Sequence, residues 1–211
     1  MARGVNEGDE ARFRSVGLDD AVAALRDGAV VAIPTDTVYG LAVDPTIPGA
    51  TEALFALKAR PDGLDLPVLV GSMEQAETLA GPHGLSATAR HLADAFWPGA
   101  LTIVVARRPG LDWALGAHDR TIGLRLPDHA VARALCLAVG ALATTSANAH
   151  GEAPCTDPQA LQRVFGSVPV LDGGHCAGAP STVVSVLDTA PQCLRQGALS
   201  WAEVLAAVGE A

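Results

Sequence analysis

Ile33-Pro34-Thr35-Asp36-Thr37-Val38-Tyr39-Gly40-Leu41 is the stretch on which the fold of this chain turns. The residues before it, Ala29-Val30-Val31-Ala32-Ile33, have the length and β-branching of a buried strand. Pro34 cannot donate to a ladder and is expected to end that strand. Three side-chain hydroxyls (Thr35, Thr37, Tyr39) and the Asp36 carboxylate then crowd into five residues. Thr and Asp are ordinary turn formers, so a plain strand-to-loop junction would explain them. A polar turn leaving a buried strand is also where open α/β sheets place their ligands.

The rest of the chain alternates strands with helices. Helices are expected at Leu18 to Arg26, Ala50 to Ala59, Met73 to Ala80, Ser86 to Phe96, His129 to Val139, Pro158 to Phe165 and Trp201 to Val208. Strands are expected at Pro67 to Val70, Leu101 to Val105, Thr121 to Leu126, Val168 to Leu171, Val183 to Leu187 and around Cys193 to Arg195. Thr144-Thr145-Ser146-Ala147-Asn148 reads as a second hydroxyl-rich turn behind an apolar run. This pattern implies an α/β sheet flanked by helices. No linker composition divides it, so residues 15–211 read as one domain behind a polar, mobile segment 1–14.

Composition sets the limits. The 211 residues are 49% hydrophobic and 18% charged, enough apolar content for a sizeable core. A net charge of −9 with 4% aromatics argues against a phosphate-tracking or base-stacking surface for nucleic acid. Any anion site must be local, drawn from the 14 basic residues. The four cysteines (Cys136, Cys155, Cys176, Cys193) form no CxxC pair, and reduced thiols in the cytoplasm are the simplest account. His175-Cys176 invites a Cys–His nucleophile, although adjacent residues rarely orient one another. The N-terminus lacks an apolar signal region, and no apolar run approaches membrane-spanning length.

Polar turns after apolar runs recur at Thr35–Tyr39, Thr145–Asn148 and Ser181–Thr182, with Lys58, Arg60, Arg125 and Arg195 beside such elements. Hydroxyls and an amide can orient a small polar ligand, and Lys and Arg can hold phosphate or carboxylate. Taken singly, each charge reads as a solvated surface group and each of Ser146 and Asn148 as a turn former or cap. Their shared place at strand ends joins them.

In this order the motifs resemble those of the YrdC-like family, the threonylcarbamoyl-AMP synthases. PTDTVYGL is followed by Lys58-x-Arg60-Pro61, Trp97-Pro98-Gly99-x-Leu101-Thr102, Arg125-x-Pro127-x-His129, Thr145-Ser146-Ala147-Asn148 with Gly151, Ser181-Thr182-Val183-Val184 and Arg195-x-Gly197. The resemblance covers about Leu18 to Gly197. It implies a twisted, mixed open sheet flanked by helices around a deep cleft. It also implies an enzyme, a nucleotidyltransferase, joining L-threonine, bicarbonate and ATP into threonylcarbamoyl-AMP and pyrophosphate. The product would pass to the proteins that modify adenosine 37 of certain tRNAs. The family's tetrad falls on Lys58, Arg60, Ser146 and Asn148, with Lys58 and Arg60 catalytic. Thr121 and Arg195 join the tetrad on the ATP and phosphate side. Thr35, Tyr39, Arg125 and Ser181 fall on the threonine side. Mg²⁺ is expected to arrive with ATP, since no carboxylate cluster suggests a preformed metal cage.

The chain departs from the family in two places. Leu64 and Asp65 stand where many members carry a polar or basic residue and then Pro, and Leu69 stands where many have His. Asp65 would weaken phosphate binding if it faced the cleft. No extra C-terminal domain is expected after Arg195. The alternatives are a non-catalytic RNA-binding or ribosome-assembly module of the same fold, and a paralogue acting on another amine.

Overall fold

The computed structural model describes residues 15–58, 65–149 and 152–209. The expected mobile segment 1–14, and with it Arg60 and Leu64, lie outside the described residues. In chain order the elements are β1 Ser15–Val16, α1 Leu18–Arg26, β2 Val31–Ile33, β3 Gly40–Val43, α2 Ala50–Lys58, β4 Val68–Leu69, α3 Met73–Leu79, α4 Ala87–Phe96, β5 Leu101–Ala106, β6 Thr121–Arg125, α5 Ala130–Val139, β7 Leu142–Ser146, α6 Pro158–Phe165, β8 Val170–Leu171, β9 Thr182–Ser185, β10 Gln192–Arg195 and α7 Trp201–Gly209.

Local chemistry sets several of these limits. Ser72, Ser86 and Asp157 accept hydrogen bonds from the third residue of α3, α4 and α6, satisfying amides that the helices leave open. Gly28, at φ +80°, lets the chain leave α1 in a left-handed turn.

The strands form one mixed sheet in the order β1-β8-β2-β3-β7-β4-β6-β5-β9-β10. Its registers sort the side chains onto two faces. Across one face run Ala32, Leu41, Val43, Ala143, Val68, Leu124, Ile103 and Val184. They join the larger apolar core, with Leu54 of α2, Leu79 of α3, Leu92 of α4, Leu161 of α6 and Val204 of α7. Leu124 and Ile103 are fully buried there, each contributing about 2 kcal/mol of transfer free energy.

Across the other face run Ile33, Gly40 and Ser146, then Ala42 and Thr144, then Leu142, Leu69 and Arg125. Helices α1 and α5 cover only part of it, packing Ala21, Leu25, Leu135 and Cys136 on Ile33, Ala42, Leu69 and Leu142. Beyond those helices the same face turns polar, at Thr144, Ser146 and Arg125. The cleft opens there.

Two local expectations change. A strand that the sequence did not announce follows the polar turn directly. Gly40–Val43 pairs antiparallel with Val31–Ile33, which makes Pro34–Tyr39 the loop of a hairpin. Thr144, Thr145 and Ser146 are not turn residues either; they form the end of β7, and only Ala147 and Asn148 leave the ladder.

Candidate active site

A cleft of about 250 Å³ lies where the hairpin loop, the ends of β7, β4 and β6, and the entrance to β9 converge. Its walls include Thr35, Thr37, Val38, Leu69, Thr102, Arg125, Ser146, Asn148, Glu152, Ser181 and Arg195.

At its inner end Arg125 is 6% exposed. It donates through Nε to Gly99 O (2.9 Å), through Nη1 to Thr37 Oγ1 (2.9 Å) and through Nη2 to Asp36 Oδ1 (2.5 Å). Burial lowers the pKa of this guanidinium, the Asp36 charge opposes that shift, and the nearby Arg195 charge adds to it. Thr35 Oγ1 donates to Val38 O (2.6 Å), so the Thr37 hydroxyl is the donor of the Thr37–Thr35 bond (2.9 Å). The resulting relay, Arg125 to Thr37 to Thr35 to Val38 O, fixes the direction of each hydroxyl.

At the outer end Arg195 donates through Nε and Nη2 to Ser181 O (3.3 and 2.9 Å) and through Nη2 to Ser181 Oγ (3.3 Å). Ser181 Oγ also shares a 2.9 Å bond with Thr102 Oγ1, a β5 hydroxyl that sequence reasoning passed over. On the remaining side, Ser146 Oγ donates to Asn148 Oδ1 (2.7 Å), and Asn148 Nδ2 donates to Ala149 O and Glu152 O (2.9 and 2.8 Å). Lys58 Nζ donates to Ser146 O (2.8 Å), Asn148 O (2.5 Å) and Asn148 Oδ1 (2.8 Å).

Of the residues expected to meet ligands, Thr35, Arg125, Ser146, Asn148, Ser181 and Arg195 thus line one cleft. Lys58 is not on the cleft wall but lines an adjoining groove with Leu57, Asn148, Val164 and Phe165. Thr121 is not brought in. It begins β6, at the end remote from Arg125, and at about 3.3 Å per residue the two lie about 13 Å apart. Tyr39 is fully buried and not part of the cleft wall. Its hydroxyl donates to Gly174 O (2.9 Å) and accepts from Gly173 N (3.2 Å), so it pins a neighbouring loop. Burial pushes its pKa up to about 12, outweighing the Gly173 bond.

That loop, residues 172–181, is a strap. It leaves β8, second in the sheet order, and enters β9, ninth in that order. The strap thus crosses the strand ends between them, and its far end carries Pro180 and Ser181 into the cleft. Gly178 N donates to Thr37 O (2.7 Å) and Cys176 N to Thr156 O (2.8 Å). A side chain at Gly173 would meet Pro34 within 2.7 Å, so glycine is required where the strap crosses the hairpin.

The structure gives His175-Cys176 no nucleophile geometry. Cys176 is 4% exposed, burial pushes its thiol pKa up, and His175 is exposed. Asp65 turns away from the cleft, accepting from His118 N (3.2 Å) and pairing with His118 Nδ1 (2.8 Å). Leu69, in place of the family's His, is 4% exposed, registers with Arg125 and lines the cleft. Among the described residues no group of three or more His, Cys, Asp or Glu is placed to hold a metal ion, and no helix is long and apolar enough to cross a membrane. Glu152 is the carboxylate of the cleft wall.

Known proteins share this architecture. A Mycobacterium leprae protein with a provisional threonylcarbamoyl-AMP synthase name is 39% identical over 199 residues, covering 93% of this chain and 90% of its own. The threonylcarbamoyl-AMP synthase of Bacillus subtilis is 34% identical over 95% of this chain and 59% of its own. Pyrococcus abyssi Sua5, solved in complex with L-threonine, superposes with a TM-score of 0.82 at 31% identity, over 92% of this chain and 57% of that one. The chain thus spans little more than half the length of these last two relatives. The Sua5/YciO/YrdC family model, described as "Telomere recombination", matches residues 23–197. A match of that extent, on a fold shared with these relatives, means that the chain belongs to the Sua5/YciO/YrdC family.

Proposed function

We propose that this protein is an L-threonylcarbamoyladenylate synthase, a nucleotidyltransferase that makes threonylcarbamoyl-AMP and pyrophosphate from L-threonine, bicarbonate and ATP. The observation that carries this reading is one cleft with an oriented hydroxyl relay at Thr35 and Thr37 and a cationic Arg195–Ser181 end. The threonine complex of the Pyrococcus relative and the names of the other two support it.

The threonine amine takes up the carbon of bicarbonate with loss of water, giving a carbamate. A carbamate oxygen then attacks the α-phosphorus of ATP, the bond to the bridging oxygen breaks, and pyrophosphate leaves with its electron pair. No covalent enzyme intermediate is needed; the protein positions the reactants and stabilises charge on the phosphates. Thr35 and Ser181 hold the amino acid. Arg195, Ser146 and Asn148 face the phosphates, and Arg60 belongs with them by its place in the family motif. Arg125, already neutralised by Asp36, holds the hydroxyl relay in place. The hard oxygens of Glu152 and the neighbouring hydroxyls suit a Mg²⁺ ion that arrives with ATP, where it would neutralise phosphate charge.

The product passes to the proteins that transfer the threonylcarbamoyl group to tRNA in the cytoplasm. With a net charge of −9 the enzyme itself holds tRNA weakly or not at all. The deciding experiment incubates the protein with ATP, bicarbonate and each amino acid in turn, measuring pyrophosphate and the AMP adduct. Pyrophosphate release that depends on bicarbonate and threonine together is expected. Release driven equally well by another amine would replace threonine as the substrate.

A further inference from the structure

Lys58 has three ammonium protons, and three acceptors converge on them: Ser146 O, Asn148 O and Asn148 Oδ1. All three belong to the end of β7 and the turn that leaves it. The Asn148 side chain is equally committed, accepting from Ser146 Oγ and donating to Ala149 O and Glu152 O. Two backbone carbonyls and an amide oxygen that would otherwise repel one another are held together by this cation. Ser146 and Asn148 line the cleft, and Lys58 is not among its walls but lines an adjoining groove that meets the cleft at Asn148.

We infer that Lys58 is a positioning residue, a strut that sets the Ser146–Asn148 turn, and that it does not itself meet the phosphates. The turn is bound to the hairpin through a closed ring of backbone bonds. Ala147 N donates to Tyr39 O (2.8 Å), Tyr39 N to Cys155 O (3.0 Å) and Cys155 N to Ala147 O (2.7 Å). Loss of the strut is therefore felt on both sides of the cleft, at the amino-acid end as well as the phosphate end. A residue that only bound phosphate would affect ATP alone. Charge by itself does not meet the requirement, because the flat fork of a guanidinium cannot direct three N–H bonds at acceptors gathered round one point.

ATP and threonine are named on the strength of the proposed function; the first measurement below does not need it. Hydrogen exchange is followed on the ligand-free full chain for wild type, Lys58→Met and Lys58→Arg. Peptides spanning residues 144–156 are expected to exchange at least tenfold faster in both variants, with β5 and β6 unchanged. ATP and L-threonine binding are then measured separately by calorimetry. About tenfold weakening of both ligands in both variants is expected. Unchanged exchange at 144–156 overturns the inference. So does a loss confined to ATP, or an ATP affinity restored by Lys58→Arg. Wild-type protein that binds neither ligand would refute the functional reading, while the exchange data still decide the strut.

Discussion

Asp36 Oδ1 sits 2.5 Å from Arg125 Nη2, so the innermost cation of the cleft is neutralised before any substrate enters. Both side chains are largely withdrawn from water, at 17% and 7% exposed. Breaking such a pair from one side leaves an uncompensated buried charge. Asp36→Ala is expected to cost about 3 kcal/mol in chemical denaturation, and Asp36→Asn, which keeps the acceptor, about half of that. Equal stability of Asp36→Ala and wild type would mean that the pair is not formed in solution.

Ligands that bind only the folded state raise its melting temperature. At a hundredfold excess over its dissociation constant, ATP adds about 2.7 kcal/mol. For a chain of this size that is a rise of about 5–10 °C. Threonine with bicarbonate should raise it further. Arg195→Ala should reduce the ATP shift more than the threonine shift, because Arg195 stands at the outer end of the cleft. A flat thermal scan at millimolar ATP would rule out the nucleotide site.

Amino-acid choice follows from the cleft wall. The Ser181 and Thr102 hydroxyls share one hydrogen bond, which leaves one of their protons for a ligand acceptor, and a ligand lacking that acceptor leaves the proton unmet. Leu69 offers apolar contact in place of the family's His, and one methyl group is worth about 1–3 kcal/mol. The expected order of kcat/KM is threonine first, serine about tenfold to a hundredfold lower, and valine nearly inert. Leu69→Ala should narrow the threonine-to-serine ratio. Valine turning over as well as threonine would remove the hydroxyl reading.

Stability should fall on the alkaline side. Burial raises the Cys136 pKa from 9.0 to about 12 and the Tyr39 pKa from 10.0 to about 12. Above pH 9, and again above pH 10, the unfolded chain releases protons that the folded chain retains, so unfolding becomes progressively easier up to about pH 12. Urea midpoints at pH 8, 9.5 and 10.5 should decline in that order. Cys136→Ala should flatten the earlier part of the decline and Tyr39→Phe the later part. Tyr39→Phe should also raise the KM for threonine, because it unclips the strap that carries Ser181.

The sequence made the helices and most strands legible because their cues are local: Gly28 after α1, Ser72 and Ser86 before α3 and α4, and Pro158 opening α6. It hid β3, because Gly40–Val43 follows the hydroxyl motif so closely that only its pairing with β2 reveals a strand. The motifs gathered most of the cleft residues, but a motif does not say which way a side chain turns. Tyr39, expected as a ligand hydroxyl, has its ring in the core, and Thr121, expected on the phosphate side, lies at the other end of β6 from Arg125. Thr37 and Thr102 were open to discovery from the sequence: the first sits two residues from Thr35, and the second lies inside the Trp-Pro-Gly-x-Leu-Thr motif. The direction of Asp65, set by His118 more than fifty residues away, could not be read from neighbours.

The place of β8 between β1 and β2 has a consequence for how the protein comes into being. The amide of Ala32, at the base of the hairpin, is satisfied by Pro169 O, and Thr37 O by the Gly178 amide. The hairpin wall of the cleft is thus finished by residues that lie far later in the chain. A nascent chain halted after β7 would hold the hydroxyl hairpin and the Ser146–Asn148 turn but lack the strap, Ser181 and Arg195. Such contacts, distant along the chain, form slowly because long loops must close first. The cleft is therefore complete only once the strap, Ser181 and Arg195 have joined the earlier hairpin and turn.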